Sequence, residues 1–257
     1  MRIARVRVGR RTSYARVSES GVHLVRGGLF GALEPTGESH PLGDVRLLSP
    51  VRPGKIVAMA VNYASHAQGA RGQASLSPIP QPFLKTPSSI VGPQDPIVLP
   101  PDAGRVDEEA EVVVVIGRRA RAISEQEVDD HIFGYTAGND VSARHWQRDD
   151  TQWWRAKSAN SFSPIGPWVE TEIPHGSDIR LVGRVNGEVV QEAHTGELVH
   201  SIRRSIAFIS QYMTLERGDL LFTGTPGTTV ELKPGDVVEV EVEGVGVLSN
   251  PVVAGAP

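Results

Sequence analysis

Glu109 and Glu111 stand two residues apart at the start of an apolar run, Val112-Val113-Val114-Val115-Ile116. On an extended chain alternate side chains share a face, so the two carboxylates point the same way. Parallel carboxylates at close range repel each other unless a cation sits between them, and a hard divalent metal is the economical choice. Asp140, in Gly138-Asn139-Asp140-Val141-Ser142, offers a third carboxylate beside a glycine expected to let the backbone turn sharply. Two Glu and one Asp with open positions suit Mg²⁺, which keeps several waters and leaves room for a substrate's oxygens. The competing reading is a solvated strand end whose charges keep an exposed edge soluble. Asp107 has the same parity as the pair; it is expected at the surface, with an outer role at the metal as the alternative.

Lys157, in Trp153-Trp154-Arg155-Ala156-Lys157-Ser158, either pairs with carboxylates and steadies an anionic intermediate or snorkels at the surface. Its neighbours alone favour the surface. His66, in Asn62-Tyr63-Ala64-Ser65-His66, is a general-base candidate only if the segment after it closes over a metal. Thr223-Gly224-Thr225-Pro226-Gly227 offers hydroxyls and backbone N–H groups to a carboxylate, although its glycine spacing fits neither a P-loop nor a dinucleotide fingerprint. With no Gly-x-Ser-x-Gly elbow and no cysteine, a covalent acyl-enzyme is disfavoured.

The elements that must position these groups read as β-dominated. The chain has 257 residues with 27 Gly and 19 Pro, and its Val-rich runs lie between these breakers, which indicates a β-rich α+β fold. Tyr14 to Val17 and Val22 to Val25 form a hairpin pattern, and Pro50 to Gly54 reads as a corner. That divides the chain into a small N-terminal β unit, residues 1–53, and a catalytic domain, residues 54–257. Lys55 to Val61 reads as a buried strand, and residues 62–82 as a lid or binding loop. Ser124 and Glu127 match a capping box that should start a short helix ending before Gly134. Asn186-Gly187 signals a type I′ hairpin. Ile202, Ile206, Ile209 and Met213 share one face of a helix expected over Ser201 to Leu215. Leu220 to Thr223 and Val237 to Val247 read as further strands. The formal net charge of -4 gives no reason to expect nucleic acid or an anionic membrane as a partner. No run approaches the ~18 apolar residues of a membrane span. The chain has 0 Cys, so there are no disulfides and no thiolate zinc, and a cytoplasmic location is expected.

Taken in order, these segments resemble the fumarylacetoacetate hydrolase family over residues 55–253. The segments are Lys55 to Tyr63 with His66, Pro82 to Gly92, Asp107 to Glu111, Gly138 to Arg144, Gln152 to Ser158, Thr223 to Pro226, and Lys233 to Asp236. The nearest branch is the bacterial 2-hydroxyhepta-2,4-diene-1,7-dioate isomerase and acylpyruvate hydrolase type. The resemblance implies a mixed β-roll catalytic domain, a homodimer, and Mg²⁺ (or Mn²⁺) held by Glu109, Glu111 and Asp140. It also implies Lys157 as the catalytic lysine, His66 as the histidine of a mobile lid, and a small 2-oxo or 2,4-dioxo acid, or its enol, as substrate. Tyr63, Lys85, Gln147 and Thr225 are expected to surround that substrate. C–C bond hydrolysis through a metal-stabilised enolate is the family default. Decarboxylation or isomerisation on the same metal is the alternative, and a non-catalytic oxo-acid-binding protein is the rival from another class. Two departures bear on the choice. Gly69 stands where hydrolytic relatives commonly carry the Glu that activates water with the histidine, and no Asp or Glu occurs between Asp44 and Asp95. Only a distant carboxylate such as Asp149 or Asp150 would replace it. Asn160 stands where relatives often have Asp.

Overall fold

The Val112–Ile116 run is apolar at every position because both of its faces are covered. The computed structural model describes residues 1–69 and 76–256. In it Ala110–Ile116 is an interior strand of a 12-stranded sheet, antiparallel to Ile132–Asn139 on one side and to Leu220–Phe222 on the other. Val112, Val114 and Ile116 pack with Leu181, Ile206, Val240 and Leu248. Val113 and Val115 join Ile56, Ile165, Val169 and Phe222 on the opposite face. The even face meets a second, five-stranded sheet built from 188–194, 180–185, 237–242, 246–254 and 97–99. The fold is thus the β-rich, mixed-sheet architecture expected from the sequence.

The N-terminal strands extend the same large sheet. Arg2–Val8 pairs with Ser163–Glu170 through Arg2↔Glu170 and Ile3↔Val169, and the hairpin Arg11–Ser18/Gly21–Arg26 follows outward. The outermost strands are Glu34–His40 at one end and Pro82–Lys85 at the other. Ile56–Met59 runs parallel to Leu220–Phe222, which brings the chain on either side of these strands, Asn62 to Gly69 and Thr223 to Gly227, to one end of the sheet.

Several local expectations hold. Asn186 and Gly187 both have positive φ (53° and 81°), as a type I′ turn requires. The amphipathic helix runs Ile202–Tyr212, with the Ser201 side chain capping the Arg204 N–H; it ends before Leu215 because Met213 is extended. Others need correction. Ser124 and Glu127 make the capping contact, but only a 3₁₀ turn, Val128–His131, follows; the β-branched and aromatic residues after it form the Ile132–Asn139 strand instead. Val237 to Val247 is the first strand and turn of a hairpin, Val237–Val242 and Gly246–Ala254, not one strand. Gly138 lies within a strand rather than at a sharp turn. A Cβ there would sit 2.4 Å from Val113 Cγ2 and 2.8 Å from Phe222 Cε1, so close packing explains the glycine. The expected lid over 62–82 begins with a helix, Ala64–Gly69, and its residues 70–75 lie outside the described residues. Among the described residues no helix is long and apolar enough to cross a membrane.

Candidate functional site

The Ala110–Ile116 strand and its partner Ile132–Asn139 bring the three predicted carboxylates together. Carboxylate oxygens of Glu109, Glu111 and Asp140 all lie within 4.8 Å of one another, and all three residues are buried. Asn139 fixes the approach: its side-chain oxygen accepts the Glu109 N–H at 2.9 Å, and the Glu109 carbonyl accepts the Asp140 N–H at 2.9 Å.

Cations surround two of the three. Lys157 is not a surface lysine; it is buried on the Trp154–Ser158 helix and bridges Glu109 (2.8 Å) and Asp140 (2.7 Å). Lys85 is fully buried and bonds Asp140, the Lys157 carbonyl and the Phe162 carbonyl. Arg144 reaches Glu109 at 2.7 Å and Asp107 at 2.8 Å. Burial alone would raise the Glu109 pKa, but the Lys157 and Arg144 charges hold it well below the usual carboxylate range. Glu111 behaves in the opposite way. Its carboxylate accepts the Gly224 N–H at 2.6 Å, but among the described residues no basic side chain touches it. Burial and the adjacent Asp140 and Glu109 charges push its pKa well above normal. A bound cation would remove that penalty. The all-oxygen donor set and the spare lone pairs on each carboxylate fit a hard divalent metal ion.

Asp107 also departs from expectation. It is buried and takes Arg105 at 2.7 Å, Arg144 at 2.8 Å and the Thr229 hydroxyl at 2.7 Å. Those partners lie up to 122 residues away, so local parity could not reveal them. Glu108 points away from the site and bonds the Val230 N–H at 3.1 Å, while its other oxygen has no partner among the described residues. Burial pushes its pKa up to about 8.

A cavity of about 40 Å³ opens beside the carboxylates, lined by His66, Phe83, Glu109, Gln147, Trp153, Lys157 and Thr225 among others. Four predicted residues besides Glu109 therefore meet there: His66, Gln147, Lys157 and Thr225. Glu111, Asp140, Tyr63 and Lys85 do not line it. Lys85 is turned to Asp140, and Tyr63 is buried with its hydroxyl unpaired among the described residues. His66 Nδ1 lies 2.8 Å from the Gly227 carbonyl oxygen, and the Ser65 hydroxyl accepts the Gly227 N–H at 3.1 Å. Two adjacent residues thus clip the Ala64–Gly69 helix to the glycine-rich turn. Among the described residues no carboxylate hydrogen-bonds His66; Asp150 is engaged by Arg155 and Asp149 by Arg148.

Sequence reasoning missed Arg144, although it follows Asp140 by four residues in the same segment and its charge was a usable signal. It also missed Gln191, whose Nε2 donates to the Thr225 hydroxyl oxygen (2.9 Å) and the Pro226 carbonyl, while its oxygen accepts the Ala110 N–H at 2.9 Å. Gln191 therefore ties the second sheet to both the carboxylate strand and the glycine-rich turn. Gly224 is required at that turn: its φ is +107°, and a Cβ would meet Asn62 Cβ at 2.8 Å.

The chain is similar to known proteins over nearly its whole length. A family model described as "Fumarylacetoacetate (FAA) hydrolase C-terminal" matches residues 55–253, and one described as "Rv2993c-like, N-terminal" matches residues 1–50. Protein Rv2993c of Mycobacterium tuberculosis is 43% identical, over 87% of this chain and 84% of that protein. The rat protein named oxaloacetate tautomerase Fahd2a, mitochondrial, is 41% identical, over 83% of this chain and 71% of its own. A crystal structure from Mycobacterium smegmatis, named 5-carboxymethyl-2-hydroxymuconate delta-isomerase, superposes with a TM-score of 0.91 at 40% identity, covering 99% of this chain and 100% of that one.

Proposed function

The chain belongs to the fumarylacetoacetate hydrolase family, and from that premise we propose that it is a Mg²⁺- or Mn²⁺-dependent enzyme that moves a proton on a small oxo acid, a keto–enol tautomerase or isomerase. The observation that carries this reading is the state of His66. A carbonyl oxygen can only accept, so Nδ1 of His66 carries the proton it donates to Gly227, and in the neutral ring Nε2 is left as the base. A base without an acidic partner suits taking a proton from carbon and returning it to carbon or oxygen. It suits less well the activation of water that C–C hydrolysis requires. Gly69 agrees with this, as do the names of the relatives, an oxaloacetate tautomerase and a muconate isomerase.

Glu109, Glu111 and Asp140 would hold the metal ion, which when bound would supply Lewis acidity at the substrate's 2-oxo group. Lys157 places a fixed positive charge at the cavity wall, where negative charge builds on an enolate oxygen. Its ammonium is held charged: burial would lower its pKa, but the Asp140 and Glu109 charges raise it above normal. Thr225 and Gln147 present polar groups to a substrate carboxylate in the same cavity.

The test is a parallel assay, with Mg²⁺ present, of oxaloacetate tautomerisation, oxaloacetate decarboxylation, acylpyruvate cleavage and isomerisation of a hydroxymuconate-type diene. Proton-transfer turnover should dominate, and His66→Ala should lower it by about 10²- to 10⁴-fold. Acylpyruvate cleavage faster than either proton transfer would overturn this reading in favour of hydrolysis, and dominant CO₂ release would overturn it in favour of a decarboxylase. Metal and oxalate binding without turnover on any substrate would leave a binding protein.

A further inference from the structure

The N-terminal strands carry a charge balance unlike the remainder of the chain. Residues 1–53 contain nine Arg, no Lys and four acidic residues, a net +5 against -9 for residues 54–257. Part of that excess is gathered at one place. Arg5 and Arg7 alternate onto one face of the Arg2–Val8 strand, and Arg7 lies directly opposite Arg46 on the neighbouring strand. Like charges opposite each other across a ladder are destabilising. Arg46 is drawn off to Asp95 at 2.5 Å, whereas Arg7 is not.

Arg5, Arg7 and Arg52 line a cavity of about 350 Å³ where the N-terminal strands meet the segment from Pro87 to Asp95. Among the described residues no carboxylate lies within ion-pair distance of any of the three. Asp95, the acid lining the cavity, is already held by Arg46 and by the Gly92 N–H at 2.9 Å. The hydrogen bond recorded for Arg5 is a long one, 3.5 Å to the Ser49 carbonyl. Partial burial and then the Arg52 charge lower the Arg5 pKa, and Tyr14 opposes them only in part.

We propose that this cavity is a binding site for a small polyanion carrying at least two phosphate or carboxylate groups. Guanidinium groups present planar forks that match both kinds of oxyanion. Three of them exceed what one monoanionic group would neutralise, and the volume lies within the range of small-ligand sites. The cavity shares no lining residue with the one beside Glu109, so the proposal stands apart from the tautomerase reading.

Calorimetry on the full chain at low salt, with pyrophosphate, citrate and inorganic phosphate as probes, tests it. Pyrophosphate or citrate should bind once per chain, at least about tenfold more tightly than phosphate. The better of the two identifies a phosphorylated or a polycarboxylate ligand. Arg52→Ala should weaken binding by about tenfold or more, because charge-assisted hydrogen bonds are lost. Arg52 is exposed, so this variant should fold. Arg10→Ala removes the same charge from a nearby turn and should change nothing. No saturable binding of either polyanion would overturn the proposal, as would equal weakening by the two variants. A change of oligomeric mass in Arg52→Ala by light scattering would instead make this face an interface between copies.

Discussion

Where the Ala110–Ile116 and Ile132–Asn139 strands meet their flanking segments, Glu109, Asp140 and Asp107 each face two cations, whereas at the junction with the N-terminal strands Arg5, Arg7 and Arg52 face no anion among the described residues. The chain compensates the first set itself, which fixes the geometry of those carboxylates before anything binds. It leaves the second set to solvent or to a ligand. Glu111 stands inside the first region but behaves like the second: it is buried, near two anions, and touched by no basic side chain among the described residues. Two glutamates on the same face of one chain segment are therefore held differently. Glu109 is part of the scaffold's internal charge balance, and Glu111 is the place where balance has to come from outside.

Substitution of the two glutamates separates these roles most sharply. Glu111→Gln should abolish divalent-metal binding and lower turnover by at least about 10³-fold, equivalent to several kcal/mol of lost stabilisation. It should leave the metal-free protein folded and no less stable. Glu109→Ala should lose metal and turnover as well, but it leaves Lys157 with Asp140 alone and Arg144 with Asp107 alone, and should cost about 1–3 kcal/mol in denaturant unfolding. Equal stability of the two metal-free variants would break the comparison, and turnover surviving chelation in Glu111→Gln would end the metal assignment.

Glu108 offers a pH test of the same logic. Its folded pKa is raised from the ordinary 4.5 to about 8, so the folded state holds the proton more tightly than the unfolded chain. That contribution is complete below pH 4.5 and is lost as pH rises to about 8. The metal-free protein should therefore lose on the order of 3 kcal/mol relative to Glu108→Gln between pH 5 and pH 9, measured by urea midpoints at each pH. Gln191→Leu should do less. It leaves the buried Ala110 N–H unpaired and frees the Thr225 turn, at a cost of about 1–3 kcal/mol, with a larger effect on KM than on kcat if Thr225 contacts substrate. Arg52→Ala should barely register in stability, within about 0.5 kcal/mol; its effect belongs to anion binding.

What could be read in advance followed the range of the interactions. The valine strand, the Asn186-Gly187 turn and the helix capped by Ser201 depend on neighbours within a few residues. The carboxylate trio was legible because parity placed Glu109 and Glu111 together and a family pattern supplied Asp140. The burial of Asp107 was not legible, since Arg144 and Thr229 arrive from 37 and 122 residues away. The Ser124–Glu127 contact shows a limit of another kind. Glu127 accepts the Ser124 N–H, half of the expected capping box, but the β-forming run after it joined the sheet, and strand pairing outweighed that local contact.

The two outer strands of the large sheet bear on how copies of this chain can meet. Glu34–His40 carries Pro35, Gly37 and two glutamates, and Pro82–Lys85 begins with a proline that has no N–H to offer. Neither presents the long, regular ladder of free donors and acceptors that strand addition needs. Strand addition to this sheet is therefore disfavoured, whereas Glu188–His194, the outer strand of the five-stranded sheet, carries no proline or glycine and is the edge where a second copy would meet no such break.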